Sequence, residues 1–203
     1  MGRRIVVTMA ARTPLVVIIA GPNGAGKSTV APRLLQGALA VNEFVNADTI
    51  AQGLSAFRPE SAAVAAGRLM LARLRTLAEA RADFAFETTL SGRNFAPWLA
   101  GLRESGYRAH LAFVSLPSPD LAVVRVGDRV RLGGHHVPEE VVRRRFARGL
   151  TNFFGVYQNV LDSWRLFDNT NGDQFFLIAS RDYDTPIEIR DKSAWSNLVA
   201  RQA

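Results

Sequence analysis

The sequence of 203 residues contains no cysteine, which excludes disulfide bonds and thiol chemistry. It also lacks a long apolar run, because the longest, residues 15–20, is far too short to cross a membrane. Residues 1–13 begin with basic side chains but contain no apolar segment of signal-peptide length, so we expect a flexible leader there. These features predict a cytoplasmic protein with a single domain, residues 14–203.

Lysine is nearly absent: Lys27 and Lys192 are the two lysines among 25 basic residues, and the others are arginine. Because there are 18 acidic residues, the formal net charge is +7. This charge fits a basic surface around an anionic small substrate as well as it fits nucleic acid binding. Aromatic residues do not interleave with the basic runs, as a groove that stacks single-stranded bases requires, so a nucleic acid partner is disfavoured.

Short apolar strands alternate with helical segments along the chain. We predict strands at residues 15–20, 43–48, 84–87, 110–116, 165–169 and 175–180. We predict helices at residues 28–39, 59–81, 95–104, 119–131 and about 138–161. This order predicts an α/β fold of three layers, in which helices cover both faces of a mostly parallel sheet.

Arginine clusters in the helices predicted at 119–131 and 138–161, which Gly133 and Gly134 separate. The arginines form two runs, namely Arg125, Arg129 and Arg131, and then Arg143, Arg144, Arg145 and Arg148. A solvated basic surface is the ordinary explanation for such runs. The glycine pair between them favours a mobile lid, about residues 119–150, whose cations face a phosphate.

The stretch GPNGAGKST, residues 21–29, fits the pattern G-x-x-x-x-G-K-[ST] and lies between a predicted strand and a predicted helix. Its glycines let successive backbone N–H groups face an anion. Lys27 would neutralise the β- and γ-phosphates, and the Ser28 hydroxyl would be a ligand of Mg²⁺. We therefore predict that ATP and Mg²⁺ bind at Gly21, Pro22, Asn23, Gly24, Ala25, Gly26, Lys27, Ser28 and Thr29.

The motif alone does not distinguish ABC-type ATPases from small-molecule kinases. The ATPases also need an apolar strand that ends in Asp-Glu and an LSGGQ-like signature, whereas this chain has LSGRN at 90–94 and no such strand. A kinase needs a carboxylate beside the acceptor hydroxyl. Asp48 and Glu87 are the candidates, since each is predicted at the carboxyl end of a strand, where α/β sheets bind ligands. Their alternative roles are a helix N-cap for Asp48 and a solvent-facing strand end for Glu87.

Thr88, Thr89 and Ser91 follow Glu87 and provide hydroxyls that can bind a sugar or a phosphate. Ordinary turn and capping chemistry is the alternative. His135 and His136 do not predict a metal site, because adjacent histidines point apart on most backbones.

The motifs GPNGAGKST, VNAD, FETTLSG and GGHHVP and the RRRF run together resemble the zeta toxin family, in particular its short chromosomal members, over roughly residues 14–170. The resemblance implies a P-loop kinase fold. It also implies transfer of the γ-phosphate of ATP to the 3′-hydroxyl of the aminosugar of UDP-N-acetylglucosamine, and a small antitoxin protein as partner. By resemblance, Lys27 binds phosphate, Asp48 activates the acceptor, and Glu87 and Thr88 line the sugar-nucleotide pocket.

The two catalytic arginines of that family match less directly. The first falls near Arg125 or Arg129, and the second near the GGHHVP segment or Arg144 and Arg145. We take Arg129 and Arg145 as the catalytic pair. The alternative acceptors are another small hydroxyl compound, such as a nucleotide, a cofactor or an antibiotic, or the end of a polynucleotide. A nucleotide-binding protein without activity is disfavoured by Asp48 beside an intact Lys27.

Overall fold

The computed structural model describes residues 12–134, 136–172 and 174–201. The strands are β1 (Leu15–Ala20), β2 (Glu43–Val45), β3 (Phe84–Thr88), β4 (Arg108–Ser115), β5 (Ser163–Asp168), β6 (Phe176–Asp182) and β7 (Glu188–Ile189). The helices are α1 (Lys27–Pro32), α2 (Ala47–Leu54), α3 (Ala63–Glu79), α4 (Phe95–Glu104), α5 (Pro119–Arg131), α6 (Glu139–Asn152), α7 (Gln158–Val160) and α8 (Lys192–Ala200). Arg33–Ala38 and Phe153–Tyr157 continue α1 and α6 as π-helical turns.

The strands form one sheet in the order β2-β3-β1-β4-β5-β6-β7. The first five strands in this order pair in parallel, whereas β6 is antiparallel to β5 and to β7. The predicted α/β fold with a mostly parallel sheet is therefore confirmed. The strand predicted at 175–180 is β6, but its antiparallel direction, β7 and α8 were not predicted. In β7, two exposed residues give little hydrophobic signal.

Alternate residues of β1 face two separate hydrophobic cores, which explains why this strand is apolar throughout. Val16 and Ile18 pack on one face against side chains of α3, α4 and α8. Val17 and Ile19 pack on the other face against side chains of α1, α5 and α6. Helices therefore cover both faces, as the alternation of strands and helices predicts.

The strand predicted at 43–48 is shorter in the structure, since β2 ends at Val45. Asn46 is the N-cap of α2, and its side-chain oxygen accepts hydrogen bonds from the backbone N–H groups of Asp48 and Thr49. Asp48 thus lies in the first turn of a helix, not at a strand end and not at the N-cap. The prediction was wrong on this point because Asn is among the strongest N-cap residues and starts the helix two residues early.

The two arginine-rich helices pack firmly on the sheet. Ala122 and Val126 of α5 and Val142 and Phe146 of α6 are buried in the second core. The lid movement predicted for this region stays a prediction. His135 and residues 1–11 of the predicted leader lie outside the described residues. No helix in the described ranges is both long and apolar enough to cross a membrane.

Candidate functional site

The candidate site lies where the carboxyl ends of β1 and β3 meet. In the register of these strands, Ile19 pairs with Glu87 and Ala20 pairs with Thr88. The chain leaves β1 at Gly21 and enters the glycine loop, so Glu87 is held one strand away from the start of that loop. Ligands of parallel α/β sheets bind at this edge.

The glycine loop has the backbone conformation that its sequence predicts. Gly21, Gly24 and Gly26 all have positive φ values, of 138°, 79° and 84°. At Gly26 a side chain would also collide with the Asn169 amide, because a Cβ atom would lie 2.5 Å from its nitrogen. These positions therefore require glycine.

Lys27 is buried at the base of the loop, with 6% of its surface exposed. Its Nζ donates a hydrogen bond to Pro22 O at 2.9 Å and lies 3.5 Å from Glu87 Oε1. Burial lowers the pKa of Lys27, and Arg129 lowers it further, whereas the charges of Glu87 and Asp48 act in the opposite direction. The ammonium group thus lies between Glu87 and the loop that precedes it, and Asp48 lines the same pocket.

Glu87 is the centre of the hydrogen-bond network at this edge. Its Oε2 accepts from the Ser28 hydroxyl at 3.1 Å and from Asn46 Nδ2 at 2.8 Å, while Oε1 faces Lys27. Only 13% of its side chain is exposed. Glu87 is therefore not a solvent-facing residue at a strand end, which was its alternative role.

A pocket of about 210 Å³ opens beside these groups. Its lining combines residues of the glycine loop, α2, β3 and α6 with two apolar side chains, and comprises Asn23, Lys27, Asn46, Ala47, Asp48, Met70, Glu87, Thr88, Thr89, Phe95 and Arg145. Asp48 is exposed to solvent on this lining. Both predicted carboxylates and the lysine of the glycine loop therefore share one cavity.

Arg145 and Arg129 reach this region from the two arginine-rich helices. Arg145 Nη1 donates to Asn23 Oδ1 at 3.3 Å. Burial lowers the pKa of Arg145, and the nearby Asp48 opposes this shift. Arg129 is close enough to Lys27 to lower its pKa. Just after the end of α5, Gly134 packs against the side chain of Arg129, because a Cβ atom there would lie 2.5 Å from Arg129 Cγ.

Arg125 has a different role from Arg129, although both belong to α5. Its guanidinium donates to the backbone carbonyls of Asn169 and Thr170, each at 2.8 Å. Asn169 is buried and donates through Nδ2 to Ala25 O at 2.9 Å. Arg125 therefore holds a loop that supports the glycine loop.

The other arginines of α6 lie away from the pocket. Arg143 forms ion pairs with Asp120 at 2.7 Å and with Glu139 at 2.8 Å, so it links α5 to α6. Arg148 lines a separate cavity with Ser91. Arg144 is exposed and absent from the pocket lining.

Of the three hydroxyl residues after Glu87, two line the pocket. Thr88 and Thr89 are on its wall, whereas Ser91 is outside it and its hydroxyl lies 3.0 Å from that of Thr89. The helix α6 approaches this segment closely at Gly149, where a Cβ atom would lie 2.4 Å from Thr89 O. A larger residue there would displace the wall of the pocket.

Sequence reasoning missed several residues of the site. The capping role of Asn46 could have been predicted from the sequence, because Asn-Ala-Asp-Thr is typical of a helix start. Asn23 was assigned to ATP alone, and its contact with Arg145 joins segments 122 residues apart. Nothing in the sequence indicates that Asn169, Met70 or Phe95 reach this edge.

The donor groups fit ATP and Mg²⁺. The glycine loop and Lys27 provide the N–H and ammonium donors that phosphate oxygens need. Ser28 and Glu87 provide neighbouring oxygen atoms, the ligand type that Mg²⁺ prefers. Within the described ranges, no group of three or more His, Cys, Asp or Glu side chains is arranged to hold a metal ion, so a magnesium ion here would keep ligands from phosphate and water.

Comparison with protein families and curated proteins gives two matches. The family model AAA_33, described as an AAA domain, matches residues 16–154. An uncharacterized protein of Haemophilus influenzae is 28% identical over 130 residues, which is 64% of this chain and 91% of that protein.

Solved structures share the fold. A crystal structure described as AvrRxo1-ORF1:-ORF2 with ATP matches with a TM-score of 0.76 at 18% identity, over 95% of this chain and 65% of that chain. A structure of the PezAT chromosomal toxin-antitoxin system of Streptococcus pneumoniae matches with a TM-score of 0.60 at 12% identity, over 82% of this chain and 72% of that chain. The present chain thus spans about two thirds of the AvrRxo1 chain, and its fold is that of P-loop kinases.

Proposed function

The chain belongs to the AAA_33 family of AAA domains, and on that premise we propose that it is an ATP-dependent kinase of a small molecule. The acceptor that we propose is the 3′-hydroxyl of the aminosugar of UDP-N-acetylglucosamine. The residues that resemble the zeta toxin family, Lys27, Asp48, Glu87 and Thr88, all line one pocket, which supports this choice.

The observation that carries the proposal is the position of Asp48. It lines the same pocket as Lys27 and Arg145, the groups that would hold the transferred phosphate, and its charge raises the pKa of both. It is also the exposed carboxylate of the pocket, whereas Glu87 is engaged by Ser28, Asn46 and Lys27. An exposed carboxylate can meet the hydroxyl of an incoming acceptor.

In the reaction that we propose, Asp48 accepts the proton of the acceptor hydroxyl as its oxygen attacks the γ-phosphorus of ATP. The bond between this phosphorus and the β,γ-bridging oxygen breaks, and ADP leaves. Lys27, Arg129 and Arg145 stabilise the charge that develops on the transferred group. Ser28 and Glu87 would hold Mg²⁺, which would further neutralise the β- and γ-phosphates. Thr88 and Thr89 orient the acceptor.

The size of the pocket supports a small acceptor. A cavity of about 210 Å³ accommodates a sugar ring, and its walls come from the glycine loop, α1, α2, α3, β3, α4 and α6. The experiment is to incubate the protein with ATP, Mg²⁺ and a panel of sugar nucleotides, nucleosides and oligonucleotides, and to look for a mass gain of about 80 Da, one phosphoryl group. A gain on UDP-N-acetylglucosamine that is lost in Asp48→Ala supports the proposal. A gain on oligonucleotides alone contradicts it and supports a polynucleotide kinase.

A small antitoxin partner is the second part of the proposal. It is supported by the zeta toxin resemblance and by two structural relatives that are described as two-component complexes, one of them a toxin-antitoxin system. The test is to co-express the protein with the product of the neighbouring reading frame. We expect that the two proteins co-purify; separate elution contradicts this part alone.

A further inference from the structure

The chain turns sharply just after β3, beside the candidate pocket. Leu90 has a φ of 53°, in the left-handed region that residues other than glycine rarely adopt. Its side chain is almost fully buried in the core on the α4 side of the sheet. Its backbone N–H donates to Thr88 Oγ1 at 3.1 Å. Because a left-handed conformation costs free energy at a leucine, surrounding contacts must hold this turn in place.

Two side chains from the end of α6 and the π-helical turn that follows it hold the Leu90 turn. Asn152 Nδ2 donates to Leu90 O at 2.8 Å, and the Tyr157 hydroxyl donates to Gly92 O at 2.8 Å. Phe153, which follows Asn152, is fully buried in the same core as Leu90. The end of α6 is therefore a fixed support from which both donors reach the turn.

The contacts of Asn152 require an amide. Its side chain is buried, and its Oδ1 accepts from Arg93 Nε at 2.9 Å. Because a guanidinium only donates hydrogen bonds, this contact orients the amide so that Nδ2 faces Leu90 O. An aspartate would keep the contact with Arg93 but would place a second oxygen against Leu90 O. The position therefore needs a side chain that accepts on one side and donates on the other.

The Leu90 turn determines what the Thr88 hydroxyl can do in the pocket. Thr88 lines the pocket together with Asp48. A hydroxyl has one hydrogen to donate, and Thr88 Oγ1 acts as the acceptor in its contact with Leu90 N–H. That contact leaves the hydroxyl hydrogen for an oxygen atom of a ligand in the pocket. It exists only while Leu90 keeps its left-handed conformation.

We propose that Asn152 is a positioning residue for the acceptor: by holding Leu90, it orients the Thr88 hydroxyl as a hydrogen-bond donor to the acceptor. Asn152 is not part of the pocket lining, so it acts through Leu90 and Thr88 and not by direct contact. The inference rests on the proposed function, because the pocket is the one in which we propose that the acceptor binds.

The first test is the kinetics of Asn152→Asp. We expect its KM for UDP-N-acetylglucosamine to rise about tenfold, the scale of one lost hydrogen bond, with kcat and the KM for ATP little changed. A loss of folded protein would instead lower the apparent kcat and leave the KM unchanged. Tyr107→Phe is the control, because it removes a hydrogen bond from a buried hydroxyl to Ala82 O just before β4. It should lower the free energy of unfolding but not raise the KM. An unchanged KM in Asn152→Asp, or an equal rise in Tyr107→Phe, overturns the proposal.

The second test asks whether Asn152 acts through Thr88. Thr88→Val keeps the shape of the side chain but removes the hydroxyl, so it should raise the KM for the acceptor about tenfold as well. If both substitutions disable the same hydroxyl, the double variant should have a KM close to that of either single variant. Independent effects would multiply to about a hundredfold, and that result overturns the proposal.

A third measurement needs no acceptor and separates this inference from the proposed function. Hydrogen exchange of the Leu90 amide, followed by NMR, should be faster in Asn152→Asp than in Tyr107→Phe, because the first substitution releases the turn locally. If no acceptor is phosphorylated but this difference is found, the positioning of Thr88 by Asn152 stands and the kinase proposal fails. If UDP-N-acetylglucosamine is phosphorylated and the exchange rates are equal, the positioning proposal is overturned while the kinase stands.

Discussion

The side chain of Asn46 connects the two carboxylates of the candidate site. Its Nδ2 donates to Glu87 Oε2 at 2.8 Å, and its Oδ1 accepts from the backbone N–H of Asp48 at 2.7 Å. One amide therefore fixes the orientation of Glu87 and begins the helix that carries Asp48. Because an amide both donates and accepts, neither a carboxylate nor a hydroxyl reproduces both contacts with the same geometry.

Substitution of Asn46 separates these two contacts. Asn46→Ala loses the N-cap and the hydrogen bond to Glu87, so we expect the free energy of unfolding to fall by about 2 kcal/mol in urea denaturation. Asn46→Asp keeps a good cap but places a second carboxylate against Glu87. We expect it to be more stable than Asn46→Ala and still to lose turnover. Equal turnover in Asn46→Asp and the natural protein would show that the contact with Glu87 does not matter for transfer.

Asp48→Asn tests the proposed base. The amide preserves the size of the side chain but cannot accept the hydroxyl proton, so turnover should fall by at least about 10²-fold. ATP affinity, measured by calorimetry, should be little changed, whereas Lys27→Ala should abolish transfer altogether. Asp184→Asn, an exposed carboxylate after the far end of β6, is the matched control and should keep full turnover. Normal turnover in Asp48→Asn means that another group takes the proton.

Glu87→Gln distinguishes a metal role from an acceptor role. Ser28 donates a hydrogen bond to Glu87, and we propose that the two side chains together hold Mg²⁺. We therefore expect Glu87→Gln to raise the Mg²⁺ concentration for half-maximal turnover by about tenfold, because a neutral amide is a weaker ligand. Kinetics at several Mg²⁺ concentrations provide the measurement. A rise in the KM of the acceptor at an unchanged Mg²⁺ requirement would instead support the role in the sugar pocket that the sequence resemblance implies.

Two arginines one helical turn apart in α5 should have different mutant phenotypes. Arg125 donates to two backbone carbonyls, so Arg125→Ala should lower the free energy of unfolding by about 1–2 kcal/mol. Arg129 lies near Lys27, so Arg129→Ala should lower kcat by about 10²-fold through lost charge stabilisation. Urea denaturation and steady-state kinetics on both variants give the comparison. A loss of kcat in Arg125→Ala together with a loss of stability in Arg129→Ala would contradict this assignment.

Much of the fold was predictable from local pattern. The bounds of α4 and α5 agree with the prediction. At the start of α5, Ser118 is a capping residue and Pro119 is the first helical residue. The helix after the glycine loop was predicted as regular, yet Pro32 lies inside it and it continues as a π-helical turn. Proline removes a backbone donor, which disturbs the regular hydrogen-bond ladder.

The site was predictable only in part. The glycine loop was found because it fits the pattern G-x-x-x-x-G-K-[ST]. Asp48 and Glu87 were found because each is a carboxylate predicted near the carboxyl end of a strand. The assignments of Arg125 and Arg129 were not separable, because both lie on one helix face and only the contact with Asn169 and Thr170 distinguishes them. Asn169 itself reaches Ala25 across 144 residues, and such a contact leaves no local signal in a single sequence.

His110 lies near the amino end of the central strand β4, and we predict that it makes the stability of the protein depend on pH. His110 is buried on β4, its Nδ1 lies 2.7 Å from the Ser163 hydroxyl, and Arg165 and Asp182 face its other side. Burial, assisted by Arg165 and opposed by Asp182, lowers the pKa of His110 to about 4. Between that value and about 6.5, the unfolded chain binds a proton that the folded protein does not.

The contribution of His110 to stability is therefore complete above about pH 6.5 and is lost as the pH falls toward 4. We expect His110→Gln to remove about 2–3 kcal/mol of the fall in unfolding free energy between pH 7 and pH 4.5. Urea denaturation at both pH values measures this difference. His136→Gln, which changes an exposed histidine, is the control and should keep the pH dependence of the natural protein. If both variants lose stability on acidification as steeply as the natural protein does, the pKa of His110 is not lowered in the folded protein. The acid sensitivity then arises from carboxylates.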